Sequence, residues 1–148
     1  DFVDPDYQRG LEHRVREVLT AASLQDQFVE YRIGDDYVHS TLPFVHVQDN
    51  QAKAAIKPLN LARGEANQAL EAGGSWITRV RLLRKHDLLP GQLLFAVQHP
   101  DPGDAVPSRA ANEIAEELQG QGVRVVRVED AAAIVRFARE ATAGSLFH

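Results

Sequence analysis

Residues 43–58 read PFVHVQDNQAKAAIKP, and this stretch decides the fold. It consists of two β-rich runs joined by QDNQ, a polar segment typical of a tight turn, at residues 48–51. The second run ends in Lys57, which is flanked by apolar residues. The stretch therefore predicts two antiparallel strands, and it raises the question of why a charged side chain ends a strand that is otherwise suited to burial.

The sequence before this stretch adds a further strand, so three consecutive antiparallel strands, a meander, are expected. Residues 28–33 and 37–47 are both β-rich, and Gly-Asp-Asp at 34–36 is a turn signal between them, so they are expected to pair as a hairpin. A third strand is expected from about residue 52 to 58. Apolar residues at helical spacing predict an amphipathic helix over about residues 8–22.

The sequence after residue 60 changes to helical periodicity, which continues to about residue 87. Gly-Gly-Ser at 73–75 predicts a break or kink, because each helix-interior glycine costs about 1 kcal/mol and Ser75 is a good N-cap. Four further elements are expected: a strand at 93–97 covered on both faces, a helix capped by Ser108 that ends at Gly120 and Gly122, a strand at 123–128 and a helix capped by Asp130.

The predicted order is α-β-β-β-α-β-α-β-α. Strands linked through a helix are expected to be parallel, and helices are then expected to cover both sheet faces. The fold class is therefore predicted to be α/β, a three-layer α/β/α sandwich around a mixed sheet. The length of 148 residues fits a single domain over 1–148.

The composition excludes several classes of function. The chain has no Cys, which rules out disulfides and thiolate metal sites and fits a reducing cytoplasm, where we expect the protein. No apolar run approaches the roughly 20 residues of a membrane span. The net charge of −5 argues against a surface covered by nucleic acid, although a local basic patch is compatible with it. The absence of Met, including an initiator, is compatible with a fragment of a longer chain.

This α-βββ-αβ order resembles the PD-(D/E)XK superfamily of restriction and repair nucleases. The resemblance implies a restriction-endonuclease-like fold, with a Pro-Asp on the second strand and an (Asp/Glu)-x-Lys on the third. In that family two carboxylates hold Mg²⁺ while the lysine assists the attacking water. The arrangement is also similar to C-terminal domains of bacterial proteins that have no assigned activity.

Placed on this sequence, the resemblance puts residues 43–44 at Pro-Asp and residues 55–57 at (Asp/Glu)-x-Lys. Lys57 is kept, but Phe44 and Ala55 replace both acids, and neither side chain can coordinate Mg²⁺. Lys57 is thus interpreted as vestigial, as a working catalytic lysine, or as a lysine that reaches solvent over an apolar stem. A working site would need acids from elsewhere, among which the sequence offers Glu30, Asp35, Asp36 and Asp49.

A basic segment at residues 79–86 is the second candidate. Arg79, Arg81, Arg84, Lys85 and His86 lie here with no acid between residues 71 and 87. They are able to contact phosphates or an acidic protein, or they form a solvated helix face whose cations suit the helix dipole.

Three hypotheses of function follow. The first is a catalytically degenerate nuclease-like module that binds nucleic acid, such as DNA, or protein through Arg79, Arg81, Arg84 and Lys85, with Lys53 and Lys57 as secondary contacts, and without a cofactor. The second is an active Mg²⁺-dependent nuclease that uses Lys57 with relocated acids. The third is a homodimerisation domain that pairs through the exposed edge of the meander. Trp76 fits the apolar stripe of its helix and is expected in the core rather than as a platform for bases.

Overall fold

The computed structural model describes residues 5–62 and 64–143. Within these ranges the chain forms four α-helices, one 3₁₀ turn and five strands, in the order predicted from the sequence. The helices are Pro5–Ala21 (α1), Ala66–Lys85 (α2), Ala105–Gly120 (α3) and Ala131–Thr142 (α4), and the 3₁₀ turn is Gln25–Gln27. The strands are Val29–Gly34 (β1), His39–Gln48 (β2), Gln51–Asn60 (β3), Gln92–Gln98 (β4) and Arg124–Arg127 (β5).

The five strands form one mixed sheet in the order β1-β2-β3-β4-β5. The first three are an antiparallel meander, whereas β4 runs parallel to β3 and β5 parallel to β4. Helices α2 and α3 pack on one face of the sheet, and α1 and α4 pack on the other. The predicted α/β class and the three-layer α/β/α sandwich are confirmed.

The sheet separates two apolar cores, and β4 contributes to both. Because successive side chains of a strand point to opposite faces, a strand covered on both sides has no polar positions. This explains the continuous apolar sequence of β4, whose inner residues Leu93, Leu94, Phe95, Ala96 and Val97 are all buried.

Helix α2 runs without interruption through Gly73 and Gly74, so the predicted break is wrong. A Cβ added to Gly73 would lie 2.5 Å from side-chain atoms of Ile114 on α3. Glycine at this position therefore allows α2 and α3 to approach closely, and the packing offsets its poor helix propensity. The N-cap of α2 is Glu65, which forms a capping box with Gln68.

The two predicted caps of the last helices have different outcomes. Ser108 lies inside the first turn of α3, after the N-cap Asp104, so its prediction as the cap is wrong. Its hydroxyl instead donates a 3.1 Å hydrogen bond to the carbonyl oxygen of Asp101. Asp130 is the N-cap of α4, as predicted, and its carboxylate accepts from the backbone N–H of Ala133 at 3.1 Å.

A β-bulge interrupts β2 at Pro43 and Phe44, within residues 43–58. Val45 pairs with Val29 and Leu42 with Tyr31, so Pro43 and Phe44 lie opposite the single residue between them on β1. The extra residue shifts the alternation of side chains along β2. As a result Leu42 and Val45 both face the α2–α3 layer, while Phe44 faces α1 and α4.

Candidate functional site

Lys57 lies in the second half of β3, just beyond the last residue that pairs with β2, with its side chain on the α2–α3 face of the sheet. It is two residues from Ala55 and two from Leu59, which both belong to the apolar core on that face. Its neighbour on β4 is Phe95, the residue with which it is paired in the sheet. Lys57 is half-buried. The aliphatic stem of a lysine at such a position packs on apolar neighbours, while its ammonium group must reach water or a polar partner.

Helix α2 supplies the surroundings of the Lys57 ammonium group. The ring of Trp76 packs edge-on against Phe95, with 5.5 Å between the ring centroids, and the Nζ of Lys57 lies 5.4 Å from the Trp76 centroid. The guanidinium carbon of Arg79 lies 4.4 Å from the same centroid. Both distances fall within the range of cation–π contacts. Lys57 and Arg79, held on one tryptophan, are called the cation pair below.

Arg79 is oriented by two serine hydroxyls. Its Nη1 donates to the Oγ of Ser40 on β2, and its Nη2 donates to the Oγ of Ser75 one turn earlier on α2, both at 3.4 Å. Ser40 is buried, with 9% of its surface exposed. The guanidinium is thus held between the helix and the sheet, although neither hydroxyl carries a charge that could neutralise it.

The electrostatics of the cation pair are unfavourable within the chain. Burial lowers the pKa of Lys57 below its ordinary value of 10.5, and the charge of Arg79 lowers it further, while the charge of Glu12 partly opposes both. Among the residues that the structure describes, no carboxylate lies within 4.0 Å of the Lys57 amine or of the Arg79 guanidinium. In the described part of the chain the two adjacent positive charges thus have no carboxylate in direct contact, and Glu12 acts on Lys57 only from beyond 4.0 Å.

The basic segment does not form one continuous patch. Arg79 points inward to Ser40, as described above. Arg81 and Lys85 are exposed and lie one turn apart on the outer surface of α2. Arg84 points in a third direction, since its Nη2 lies 3.0 Å from the position that a Cβ on Gly122 would occupy. Arg81, Arg84 and Lys85 also have no carboxylate within 4.0 Å in the described ranges.

The last predicted member of the segment, His86, lies at the C-cap of α2. Its ring contacts that of Tyr37 in the β1–β2 turn, with 5.5 Å between centroids and 77° between the ring planes. Tyr37 is 75% exposed. This contact joins the end of α2 to the hairpin turn.

Lys53, the secondary candidate, is not part of the cation pair. Ala52 and Ala54 pair with adjacent residues of β2, so Lys53 is the extra residue of a second bulge, on β3. Its amine donates a 2.8 Å hydrogen bond to Oε1 of Gln51, at the β2–β3 turn.

The two positions at which the nuclease resemblance would place acids lie on opposite faces of the sheet. Ala55 shares a face with Lys57, as an (Asp/Glu)-x-Lys arrangement requires. Phe44 pairs with Ile56 and faces the α1–α4 layer, where the guanidinium of Arg16 lies 5.5 Å from its ring centroid. Because of the bulge, even an acid at position 44 would not be directed to the side of Lys57.

The acids considered as replacements do not gather around Lys57 either. Glu30 lines a cavity of about 180 Å³ with Glu12, Arg16 and Phe44 on the α1 side of the sheet. Asp35 belongs to the β1–β2 turn, where its carboxylate accepts two backbone hydrogen bonds. In the described part of the chain, no group of three or more His, Asp or Glu side chains is placed to hold a metal ion.

His39 and His46 both lie on β2, seven residues apart, and a regular strand would place them on opposite sides of the sheet. The bulge is present, so the alternation places His39 and His46 on the same side. His46 is buried, and its Nδ1 lies 2.9 Å from the carbonyl oxygen of Gln27. This contact attaches the 3₁₀ turn to the sheet and is a structural one.

Sequence reasoning identified Lys57 and Arg79 separately but missed that they meet on Trp76. The i, i+3 spacing of Trp76 and Arg79 on one helix was a signal for their contact. The prediction that Trp76 lies in the core holds in part, since its ring packs on Phe95 and is half-buried. Ser40 gave no signal in the sequence, because its contact with Arg79 depends on how α2 lies across β2.

No helix within residues 5–62 and 64–143 has the length and apolar character needed to cross a membrane. Comparison of the chain with protein-family models, with curated proteins and with solved structures gave no match. The candidate site is therefore defined by its geometry. Lys57 of β3 and Arg79 of α2 form a half-buried pair of cations on Trp76, and α2 carries three further cations, Arg81, Arg84 and Lys85.

Proposed function

We propose that this domain is a catalytically degenerate, nuclease-like module that binds nucleic acid through its phosphate backbone. The observation that carries the proposal is the cation pair, in which Lys57 and Arg79 share Trp76 with no carboxylate of the described chain within 4.0 Å. A phosphate bound there would bring a negative charge into direct contact with both cations. The exposed cations of α2 would contact neighbouring phosphates.

The chemistry of the cation pair suits a phosphate group. The planar guanidinium of Arg79 can donate two parallel hydrogen bonds to phosphate oxygens, and Lys57 offers a compact charge with three donors. Burial disfavours the charged form of Lys57, and an anion beside it would favour that form again. Binding of a phosphate would therefore be linked to protonation of this lysine.

The net charge of −5 sets the expected strength of binding. Phosphate contacts by a few cations on an acidic protein favour weak and strongly salt-dependent association, because release of condensed counter-ions supplies most of the free energy. An acidic protein would meet the same cations. We favour nucleic acid because Lys57 and Arg79 converge on one ring and can share the several oxygens of a single phosphate group.

The loss of catalysis is part of the proposal. Phe44 and Ala55 cannot bind a metal, and they face opposite sides of the sheet. Glu30 lines a cavity on the α1 side of the sheet together with Glu12, whose charge raises the pKa of Lys57 without direct contact. The alternative of an active Mg²⁺-dependent nuclease stays a prediction, and no contact of the described residues favours it over binding alone.

Fluorescence anisotropy with labelled single- and double-stranded oligonucleotides tests the proposal. We expect binding at low salt that weakens with Lys57→Met and with Arg79→Ala, since each removes one phosphate contact. The control is Arg109→Ala, which also removes one positive charge, but from an exposed arginine that pairs with Glu113 at 3.3 Å. If the protein binds poly-glutamate but neither oligonucleotide, the partner is an acidic protein and the proposal is overturned.

The same samples separate binding from catalysis. Incubation of the oligonucleotides with Mg²⁺ or Mn²⁺ is expected to leave them intact. Cleavage by the wild type that is lost in Lys57→Met would instead support the active nuclease.

A further inference from the structure

A second feature lies on the opposite layer of the sandwich and is independent of the cation pair. Helices α1 and α4 are separated at the surface by a groove of about 890 Å³. Its floor is apolar and contains the half-buried Val18 and Val135, while Ala131 and Ala132 are exposed along its α4 side. Small exposed side chains on a helix allow another backbone to approach closely.

The charged residues that line this groove balance one another. Arg14, Arg136 and Arg139 are opposed by Glu17, Glu129 and Glu140, so the groove is neutral in a chain whose net charge is −5. Two copies of an acidic chain repel each other least where they meet through a neutral face. The apolar floor and the neutral rim together fit a second copy of this chain.

The order of charges along α4 is also self-complementary. Glu17 already pairs with His13 at 2.8 Å, and Glu140 pairs with Arg124 at 3.7 Å. Glu129, Arg136 and Arg139 have no such partner among the described residues. The acid precedes the first turn of α4, and the two bases follow in its later turns.

We infer that the α1–α4 groove is the interface of a two-fold homodimer. A two-fold axis that passes near Ile134 and Val135 sets α4 antiparallel to α4 of the second copy. Glu129 of each copy then lies opposite Arg139 of the other, and Arg136 lies opposite the small Ala132. In such an isologous contact the Glu129–Arg139 pair forms twice, and the assembly closes at two subunits.

Sedimentation equilibrium across a range of protein concentrations tests this interface. We expect a dimer for the wild type. Glu129→Arg and Arg139→Glu should each weaken dimerisation by about 100-fold, because each places two like-charged pairs at the interface. The combined variant restores opposite charges and is expected to dimerise within about tenfold of the wild type. Ala132→Arg, which places a positive charge opposite Arg136 of the other copy twice over, should abolish the dimer.

Circular dichroism and thermal unfolding check that each variant folds. The inference is overturned if the wild type is a monomer at every soluble concentration, or if the combined charge swap fails to restore a dimer that both single variants lose. It is equally overturned if Val29→Lys, on the β1 edge where Val29 is 50% exposed, dissociates the dimer while the α4 variants do not.

Discussion

The two adjacent glycines of α2 allow a sharp test of how this helix is held against α3. Gly73 and Gly74 occupy the same helix, one residue apart, but a Cβ at Gly73 would meet Ile114 at 2.5 Å, whereas a Cβ at Gly74 would have no atom within 4 Å. Gly73→Ala and Gly74→Ala therefore add the same methyl group to two different environments. The position of α2 matters for function because this helix carries Trp76 and Arg79 to Lys57.

The expected changes in the free energy of unfolding have opposite signs. Gly74→Ala should stabilise the protein by about 0.5–1 kcal/mol, since alanine has the better helix propensity and meets no obstacle. Gly73→Ala gains the same propensity but forces Ile114 or the α2–α3 spacing to shift, which costs about 1–3 kcal/mol. We expect a net loss of about 1–2 kcal/mol, or roughly 2–8 °C in Tm for a domain of this size.

Urea unfolding monitored by circular dichroism measures both changes. The contact with Ile114 is checked by introducing Gly73→Ala into an Ile114→Ala background, in which the clashing side-chain atoms are absent. The loss of unfolding free energy caused by Gly73→Ala should be smaller in this background than in the wild type. Equal stabilisation by the two glycine variants would refute the close approach of α2 and α3. Equal destabilisation by both would instead show that the helix is broken there.

Three further changes follow from single contacts. Burial lowers the pKa of Lys57 in the folded protein below the value of 10.5 that it has in the unfolded chain. Between these two pKa values the unfolded chain binds more protons than the folded protein, so the stability of the wild type should rise with pH over this window. Lys57→Met should therefore exceed the wild type in stability at neutral pH, and thermal unfolding should show the gap narrowing as pH approaches 10.5. Backbone hydrogen bonds from Val38 and Tyr37 lower the pKa of Asp35 in the folded protein below its ordinary value of 3.8. The ionised Asp35 carboxylate therefore stabilises the fold fully above pH 3.8, and this stabilisation is lost as the pH falls through the pKa of the folded state. Asp35→Asn keeps an acceptor and should flatten this acid dependence of Tm. Asp130→Ala removes the cap of α4 and should cost about 1 kcal/mol in urea unfolding.

The fold class could be predicted because its signals are local. The apolar run of β4 indicated a strand covered on both faces, and the turns at residues 34–36 and 48–51 indicated the meander. The break predicted at Gly73 failed because the reason for that glycine is Ile114, which is distant in sequence and adjacent only after α2 and α3 pack. Helix propensity alone could not distinguish a break from a close contact.

The candidate site was predictable only in part. Lys57 was visible as a charge in an apolar strand, and Arg79 as a member of a basic segment. Their convergence on Trp76 depends on the packing of α2 against the sheet, which no local pattern encodes. The opposite orientation of Phe44 and Ala55 depends on a bulge whose position is set by pairing between β1 and β2.

The central claim is that the cation pair contacts phosphates of a nucleic acid. It is tested most directly by the slope of log K against log salt concentration for the wild type and for the Lys57→Met/Arg79→Ala double variant. Each neutralised phosphate contributes about 0.9 to this slope on duplex DNA, and the cation pair holds one phosphate, so the double variant should have a slope shallower by about 0.9. An unchanged slope, or no binding by the wild type at low salt, would contradict the account.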